Sequence, residues 1–223
     1  MGESFGTQTP YSGTIETTSE SRLYDGTVLR GSYTVQRARD GKGRTYTENA
    51  MYCERDQEGN THLRKAVRVF DPVTHTSMNW TTDRREGGVV NLIHASVIPR
   101  RPVDEPRPQP LVRPWSPPAS ETQIEKLGSK NVAGVVAEGR RTTRTIPVGE
   151  EGNSQPITVV DEHWYSADLR MDVAAMHDDP RTGKVSSEFT TLTLGEPDPS
   201  LFQAPEGYIV RDRNPAVPAP QSP

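Results

Sequence analysis

The sequence predicts a mainly β protein, with a single curved antiparallel sheet and little helix, interrupted by a Pro-rich segment. Most of the chain from Tyr11 to Tyr208 consists of short segments rich in Val and Thr, which favour pleated strands. Groups of Gly, Asp, Asn and Pro separate these segments as turns. Hydrophobic residues make up 31% and aromatic residues 6% of the chain, which supports one modest core. We therefore expect one sheet of roughly 8 to 11 strands, with two stacked sheets as the alternative.

The first half of the chain predicts a meander of hairpins. Asp25-Gly26 is the strongest short hairpin signal in the sequence and joins the first strand to the second. Turns at 40–43 and 56–60 give the next connections, and Asp71-Pro72 begins another. Residues 89–98 are apolar and fit either a strand or a helix, because periodicity alone does not separate the two. The predicted strands of this half are 11–23, 28–38, 44–54, 65–70 and 76–82.

The second half carries the clearest succession of strands and turns. A short helical turn is expected at 197–202, with Asp198 or Ser200 as its cap. The predicted strands are 124–127, 135–146, 157–165, 170–177 and 185–194. Alternation in the fourth of these places three apolar residues on one face, namely Met171, Val173 and Ala175.

Proline content indicates how the chain is divided. Eight prolines lie between Pro99 and Pro118, and at this density they remove the backbone donors that a sheet needs. We interpret this segment as a linker or strap in extended polyproline II conformation, joining two parts of one sheet. The predicted organisation is an N-terminal segment at 1–10, the first part of the sheet at 11–98, the Pro-rich linker or strap at 99–119, the second part of the same sheet at 120–209 and a Pro-rich tail at 210–223.

Composition narrows the possible partners. The 26 basic and 30 acidic residues leave a net charge of -4, so the sequence predicts no nucleic-acid partner. Cys53 is the single cysteine, which excludes an internal disulfide bond. No window approaches about 18 consecutive apolar residues, so no transmembrane segment is expected. The first residues lack the apolar core of a secretory signal, which taken literally predicts a cytosolic protein.

Several short runs of residues carry a resemblance to a known family. In chain order they are Leu127-Gly128, Gly134-Val135, Glu138-Gly139, Thr145-Ile146-Pro147, Glu162-His-Trp-Tyr165 and Gly195-Glu-Pro-Asp-Pro-Ser-Leu-Phe202, followed by Pro205 and Tyr208. With them the chain resembles uncharacterised bacterial envelope proteins similar to the periplasmic lipoprotein-carrier and receptor half-barrel family. The resemblance is strongest over 121–209 and looser over 11–95.

This resemblance implies a half-barrel-like sheet and a periplasmic or extracellular location, with a signal peptide removed. The wider family includes the carrier and receptor that move lipoproteins to the outer membrane. It also includes a periplasmic domain that restrains an envelope-stress pathway. Because folds host many functions, the resemblance implies a fold more strongly than a function.

Motifs that carry chemistry are few. The five histidines show no His-x-x-x-His spacing and no Cys-x-x-Cys motif occurs, so the sequence predicts no metal and no cofactor. Asp161-Glu162-His163 supplies acid and base groups, but consecutive strand residues point to alternating faces. His177-Asp178-Asp179 lies before Pro180, where a turn is favoured over a cation site. We therefore expect a protein that is not an enzyme.

Candidate binding residues are aromatic, apolar or basic side chains on predicted strands. Arg140 and Arg144 share a face, where they could contact a lipid headgroup or an acidic partner. The alternative is a solvated, salt-bridged face shared with Glu150 and Glu151. The candidates for partner or ligand binding are Trp80, Arg140, Arg144, Trp164, Met171 and Phe189.

Two functions from different classes fit this sequence. The apolar set on any one face of 157–194 is short, and an acyl chain needs a continuous apolar lining. We therefore expect a non-catalytic cell-envelope protein-interaction module, acting as a sensor or assembly subunit, whose partner is another envelope protein or a second copy of the chain. The alternative is a periplasmic binding or carrier protein for a lipid or a lipoprotein acyl chain.

Overall fold

The protein forms one sheet of twelve strands. The computed structural model describes residues 9–55, 61–82, 88–94 and 121–213, but not the side chains of 51–55 and 61–63. The strands are β1 (Tyr11–Arg22), β2 (Val28–Arg39), β3 (Thr45–Arg55), β4 (Thr61–Asp71), β5 (Thr76–Thr81), β6 (Val89–His94), β7 (Glu121–Val132), β8 (Val135–Ile146), β9 (Ile157–Ser166), β10 (Met171–Asp179), β11 (Gly183–Leu194) and β12 (Ile209–Asp212). A 3-10 helix spans Pro199–Phe202.

The sheet is centred on the pairing of β1 with β11. The strand order is β12-β6-β5-β4-β3-β2-β1-β11-β10-β9-β8-β7. All neighbours are antiparallel except β12, which runs parallel to β6. The part of the sheet formed by β1 to β6 is therefore joined to the part formed by β7 to β11 through the pairing of β1 with β11. β6 and β7, which follow each other in the chain, lie toward opposite edges of the sheet.

The predicted single, curved, mainly antiparallel sheet is confirmed. The sheet has twelve strands, one more than the upper end of the expected range of roughly 8 to 11. The missing strand is β12, which lies mostly in the stretch assigned to the Pro-rich tail and pairs with β6 through Ile209 and Val89. Residues 89–94, left open between strand and helix, form β6.

Turn chemistry sets the hairpins as predicted. Gly26 has a φ of 87° between β1 and β2, and Gly134 has a φ of 95° between β7 and β8. Both values lie in the left-handed region, which glycine adopts without a steric penalty. Asp198 caps the 3-10 helix, since its side chain accepts a hydrogen bond from the Ser200 N–H at 2.9 Å.

A β-bulge in β10 corrects the predicted faces of that strand. The pairing register of β10 with β9 shifts between Asp172 and Ala174, which leaves Val173 as the extra residue. Met171 therefore pairs with Ser166, whereas Ala175 pairs with His163 on the opposite face. The expectation that Met171 and Ala175 share a face is wrong because a bulge reverses the alternation after it.

Two structural elements cover one face of the sheet, which we call the inner face. Around β2 to β6 this face carries Ala38, Tyr46 and Val69, which belong to a buried cluster with Phe202 of the 3-10 helix. At the other end, the tip of the β7–β8 hairpin curls back over the face toward β11. Because the sheet curls on itself, its own segments bury apolar side chains here without a second sheet.

The guanidinium of Arg39 ties β2 to the turn between β9 and β10. Its Nη2 donates to the carbonyl of Leu169 at 2.8 Å and to that of Thr9 at 2.9 Å. It also lies 5.1 Å from the ring centroid of Tyr11. Arg39 is only 7% exposed, and this burial lowers the pKa of its guanidinium, an effect that Tyr11 opposes. The sheet is thus clasped near its centre by a buried cation bonded to backbone carbonyls.

Some sequence predictions fall outside the described residues. They are the linker or strap at 99–119, the turn at 56–60, and most of the terminal segments at 1–10 and 210–223. The side chain of Cys53 is outside them too.

Candidate binding cleft on the inner face

A cleft of about 710 Å³ opens on the inner face where β1, β11, β10 and β9 lie side by side. Residues that pair directly in antiparallel strands point to the same face. The register therefore places two rows of side chains along the cleft. One row is Glu16, Glu188, Ala174 and Trp164, and the next is Thr18, Ser186, Met176 and Glu162.

The curled β7–β8 hairpin forms one wall of this cleft. Lys130, near the end of β7, donates from Nζ to Oε2 of Glu188 at 2.9 Å. The same ammonium lies 4.6 Å from the ring centroid of Trp164. One lysine therefore links the edge strand β7 to β11, although three strands lie between them in the sheet.

Trp164 owes its position to a glycine on the neighbouring strand. Gly139 pairs with Trp164, and a Cβ on Gly139 would lie 2.6 Å from the indole ring. Such a distance is shorter than carbon atoms tolerate, so a side chain at Gly139 would push the indole away. The close approach seats the ring against the backbone of β8, where it forms part of the cleft lining.

Two carboxylates face each other in the cleft, whose lining also contains Lys130 and Lys184. Glu16 and Glu188 are directly paired, and like charges in this arrangement repel. Lys130 pairs with Glu188, but Glu16 makes no ion pair or hydrogen bond with any residue that the structure describes. The cleft therefore contains one carboxylate, Glu16, whose charge a cation from outside the described chain would neutralise.

A third carboxylate in the cleft is already neutralised. Glu162 accepts a hydrogen bond from Nε of Arg141 at 2.8 Å and lies 2.7 Å from its Nη2. Arg141 also donates to Glu125 of β7 at 3.1 Å. The hydrogen bond and charge of Glu162, with help from Glu125, raise the pKa of the Arg141 guanidinium. This network fixes the rim of the cleft, so Glu16 is the carboxylate that remains for a ligand.

The predicted binding residues lie in three places. Trp164 lines the cleft. Phe189 borders it, but Phe189 is only 2% exposed and its pairing with Ile15 directs its side chain to the face opposite Glu188. Met171 packs against a buried cluster that includes Phe189 and Val173. Trp80 is 8% exposed in the cluster around the 3-10 helix. The expectation that these side chains contact a partner stays a prediction, and Trp164 has the most favourable position for it.

Arg140 and Arg144 share the opposite, outer face, where Arg140 borders a second groove of about 770 Å³. Lys126 of β7 is directly paired with Arg140, and neither side chain forms an ion pair with another described residue. Ile124 is 67% exposed beside them. The salt-bridged alternative for this face is therefore not seen around Arg140 in the described part of the chain.

The histidines of the central strands are paired with carboxylates. His163 Nδ1 lies 2.8 Å from Asp172, and His177 Nδ1 lies 2.6 Å from Asp161, both on the outer face. Among the described residues, no three His, Cys, Asp or Glu side chains are placed to hold a metal ion. In the same ranges, no helix has the length and apolar character that crossing a membrane requires.

Sequence reasoning missed the charged residues of the cleft. Glu16, Lys130 and Glu188 were not among the candidates, because each lies in an ordinary polar stretch of a strand. A signal did exist, since a charged residue at an inward strand position is unusual. Finding it requires knowing which face is inward, and this depends on the pairing of β1 with β11.

The chain is similar to several solved structures. A structure described as PNGF-II is 11% identical, with 92% of this chain and 32% of that chain covered and a TM-score of 0.41. The MucA/MucB complex of Pseudomonas aeruginosa is 14% identical, with 89% and 56% covered and a TM-score of 0.43. A LolA superfamily protein from Nitrosomonas europaea is 7% identical, with 88% and 91% covered and a TM-score of 0.34. No protein-family model matches the sequence, and no curated protein matches it either.

The chain spans about a third of the PNGF-II chain and about half of the chain in the MucA/MucB structure. At these identities and TM-scores the likeness carries no inference about activity or ligand. Functional proposals therefore rest on the residues of the cleft.

Proposed function

We propose that the protein is a non-catalytic binding module of the cell envelope, acting as a sensor or assembly subunit. Its inner cleft takes a polypeptide segment of an envelope partner that carries a basic side chain next to apolar ones. The observation that carries this proposal is Glu16, which faces Glu188 and has no cation of its own among the described residues. A guanidinium or ammonium group placed there forms a charge-assisted hydrogen bond and relieves the repulsion.

The apolar side of the cleft supports the same kind of ligand. Ala174 and Trp164 follow the two carboxylates along the first row, and Met176 lies next to Glu162 in the second. Residues two apart in an extended peptide point to the same face, so one strand can place apolar and basic groups on such a surface. Trp164 also offers a ring face next to Lys130, in the kind of amphipathic environment that binding sites favour.

A lipid or lipoprotein acyl chain is the alternative ligand, favoured by the apolar lining of Trp164, Ala174 and Met176. Burial of a methylene contributes about 0.8 kcal/mol when its surroundings are apolar. Here Glu16 and Glu188 lie within the same lining, and covering carboxylates with hydrocarbon costs free energy. The polar lining therefore favours the peptide over the acyl chain.

A periplasmic or extracellular location is part of the proposal, together with a partner that is another envelope protein. It is supported by the resemblance of residues 121–209 to bacterial envelope proteins. The candidate residues Trp164 and Phe189 belong to this stretch, as do Met171, Arg140 and Arg144.

The test compares three defined probes by calorimetric titration. Two are short synthetic peptides of equal length in which Leu and Arg, or Leu and Glu, lie two residues apart with Ser between them, and the third is a fluorescent long-chain fatty acid. We expect saturable binding of the Arg peptide, weakened about threefold to tenfold by Glu16→Gln. Glu138→Gln is the matched control, because Glu138 lines the outer groove instead.

Two outcomes would decide against the proposal. Arg-peptide binding that is equal in Glu16→Gln and the unmodified protein would remove the role of the cleft. Saturable one-to-one binding of the fatty acid by a monomer, with no peptide binding, would support lipid carriage.

A further inference from the structure

Among the described strands, part of β2 is paired on one side only. β2 pairs with β1 along its whole length, from Val28 opposite Arg22 to Arg39 opposite Tyr11. Its pairing with β3 covers only Val35 to Arg39. The register of β3 with β4 shifts between Ala50 and Tyr52, just beyond the last residue that pairs with β2. Residues 28–34 therefore have a strand on one side and no described strand on the other.

The backbone groups of this edge point away from β1. Leu23 N–H donates to the Thr27 carbonyl at 2.8 Å, so the backbone groups of Thr27 point toward β1. Because this direction alternates along a strand, the backbone N–H and C=O groups of the odd-numbered residues of β2 also point toward β1. At the far end, Asp40 N–H donates to the Arg44 carbonyl at 3.1 Å, so the even-numbered residues face β3. The N–H and C=O groups on the free side accordingly belong to Val28, Arg30, Ser32 and Thr34.

The edge lacks the features that normally protect an exposed strand. Residues 28–34 contain no proline and no lysine, and no bulge interrupts their pairing with β1. Arg30 is the one charge, and it is held by Glu20 at 2.9 Å. Leu29 is 51% exposed and Tyr33 52% exposed, both on the same side of the strand. An open edge with exposed apolar side chains is a template for adding a strand.

The sequence of this edge is complementary to itself. When two copies run antiparallel with Gly31 opposite Gly31, Leu29 of each lies opposite Tyr33 of the other. In the same register Arg30 meets Ser32 and Val28 meets Thr34, which are the residues whose backbone groups point outward. Centring the pair on Arg30 instead would oppose two arginines, and like charges directly opposite each other are destabilising.

We propose that two copies of the protein associate through residues 28–34 of β2, in the antiparallel register centred on Gly31. The contact joins the two sheets and covers Leu29 and Tyr33. Residues 30–32 of this edge also border a pocket that shares Glu16 and Thr18 with the inner cleft. A strand pair of this length is small beside the roughly 1,600 Å² of a standard interface, so the dimer forms in a concentration-dependent way. The two copies are related by a two-fold axis that passes between their Gly31 residues.

Sedimentation velocity of the full chain from about 1 µM to about 1 mM tests this proposal. The unmodified protein should shift from monomer to dimer across the series. Ser32→Pro removes an N–H that points to the free side, so it should abolish the dimer while β1–β2 pairing remains. Far-UV circular dichroism and thermal unfolding of the variant check that the fold is kept.

A charge pair at the two-fold axis tests the register. A Cβ on Gly31 meets only Ser19 Oγ, at 3.1 Å, so a side chain there fits with a small adjustment. Gly31→Lys and Gly31→Glu should each weaken self-association about tenfold or more, because like charges then face each other. An equimolar mixture of the two variants should form dimers again. These variants also decide the question if Ser32→Pro does not fold.

The proposal is overturned by any of three results. The first is an unmodified protein that stays monomeric throughout the series, as expected if the edge binds another protein instead. The second is a dimer that persists in folded Ser32→Pro. The third is a mixture of Gly31→Lys and Gly31→Glu that stays monomeric, which would exclude the Gly31-centred register.

Discussion

Replacing Arg39 with Ala is expected to destabilise the protein by about 2 to 4 kcal/mol. The guanidinium donates well-formed hydrogen bonds to the carbonyls of Leu169 and Thr9, at 2.8 and 2.9 Å. A hydrogen bond from a charged donor contributes about 1.5 to 3 kcal/mol. Removal of an unpaired buried cation offsets part of this loss, because the guanidinium no longer has to leave water.

Arg39→Ala and Arg39→Met both leave the carbonyl of Leu169 without its donor. Leu169 is fully buried, so its carbonyl has no ready access to water once the donor is gone. An unsatisfied buried acceptor costs about 1 to 3 kcal/mol. Arg39→Met loses the same donors but keeps the aliphatic packing over Tyr11, so we expect a loss somewhat smaller than that of Arg39→Ala.

Urea unfolding of the three proteins measures these differences, provided that the slope of the transition is unchanged. Hydrogen exchange supplies a local readout, because loss of the hydrogen bond from Arg39 to Leu169 should raise amide exchange in the turn between β9 and β10. A loss below about 0.5 kcal/mol in Arg39→Ala, with a cooperative transition, would refute the reasoning. It would mean that the buried charge costs as much as its hydrogen bonds contribute.

Three further substitutions test the cleft and the turn at the end of β10. Trp164→Ala should cost about 2 to 3 kcal/mol in urea unfolding, below the 3 to 5 of a fully buried aromatic residue, and a loss under about 1 would place the ring in solvent. Gly139→Ala should displace the indole and cost about 1 to 3 kcal/mol, with a change in near-UV circular dichroism; an unchanged spectrum would contradict the close approach of β8. Hydrogen bonding to Arg181 lowers the pKa of Asp179 from 3.8 to about 2. The ionised carboxylate therefore stabilises the fold fully at pH values above 3.8, and this contribution disappears as the pH falls through about 2. Asp179→Asn should therefore lower stability at neutral pH by about 1 to 2 kcal/mol and match the unmodified protein near pH 2; an equal deficit at both pH values would rule out titration of Asp179 as its source.

The local features of the fold were predictable because short-range chemistry determines them. Asp25-Gly26 specifies a tight turn whichever strands it joins, and Asp198 caps a helical turn through its own backbone neighbours. The β-bulge at Val173 was not predictable, since nothing in the alternation of β10 marks the extra residue. The strand β12 was missed for a related reason, because its partner β6 is distant in sequence and four residues carry little periodicity.

The candidate cleft was predictable only in its aromatic part. Trp164 stands out in the sequence as a large side chain on a clear strand, and it does line the cleft. Trp80 stands out equally, yet its pairing with Val67 buries it in the cluster around the 3-10 helix. Composition and periodicity describe the two tryptophans in the same way, so only their neighbours in space distinguish them.

The sequence by itself determined that the chain forms strands, where most of them turn and that its core is modest. The tertiary structure decided which side chains meet, above all Glu16 with Glu188, and which length of β2 has a partner on one side only among the described strands. The reason is that side chains alternate along a strand, so shifting a pairing by one residue moves every side chain to the other face. Strand pairing between distant parts of the chain depends on the packing of the whole sheet, and no local pattern of residues contains it.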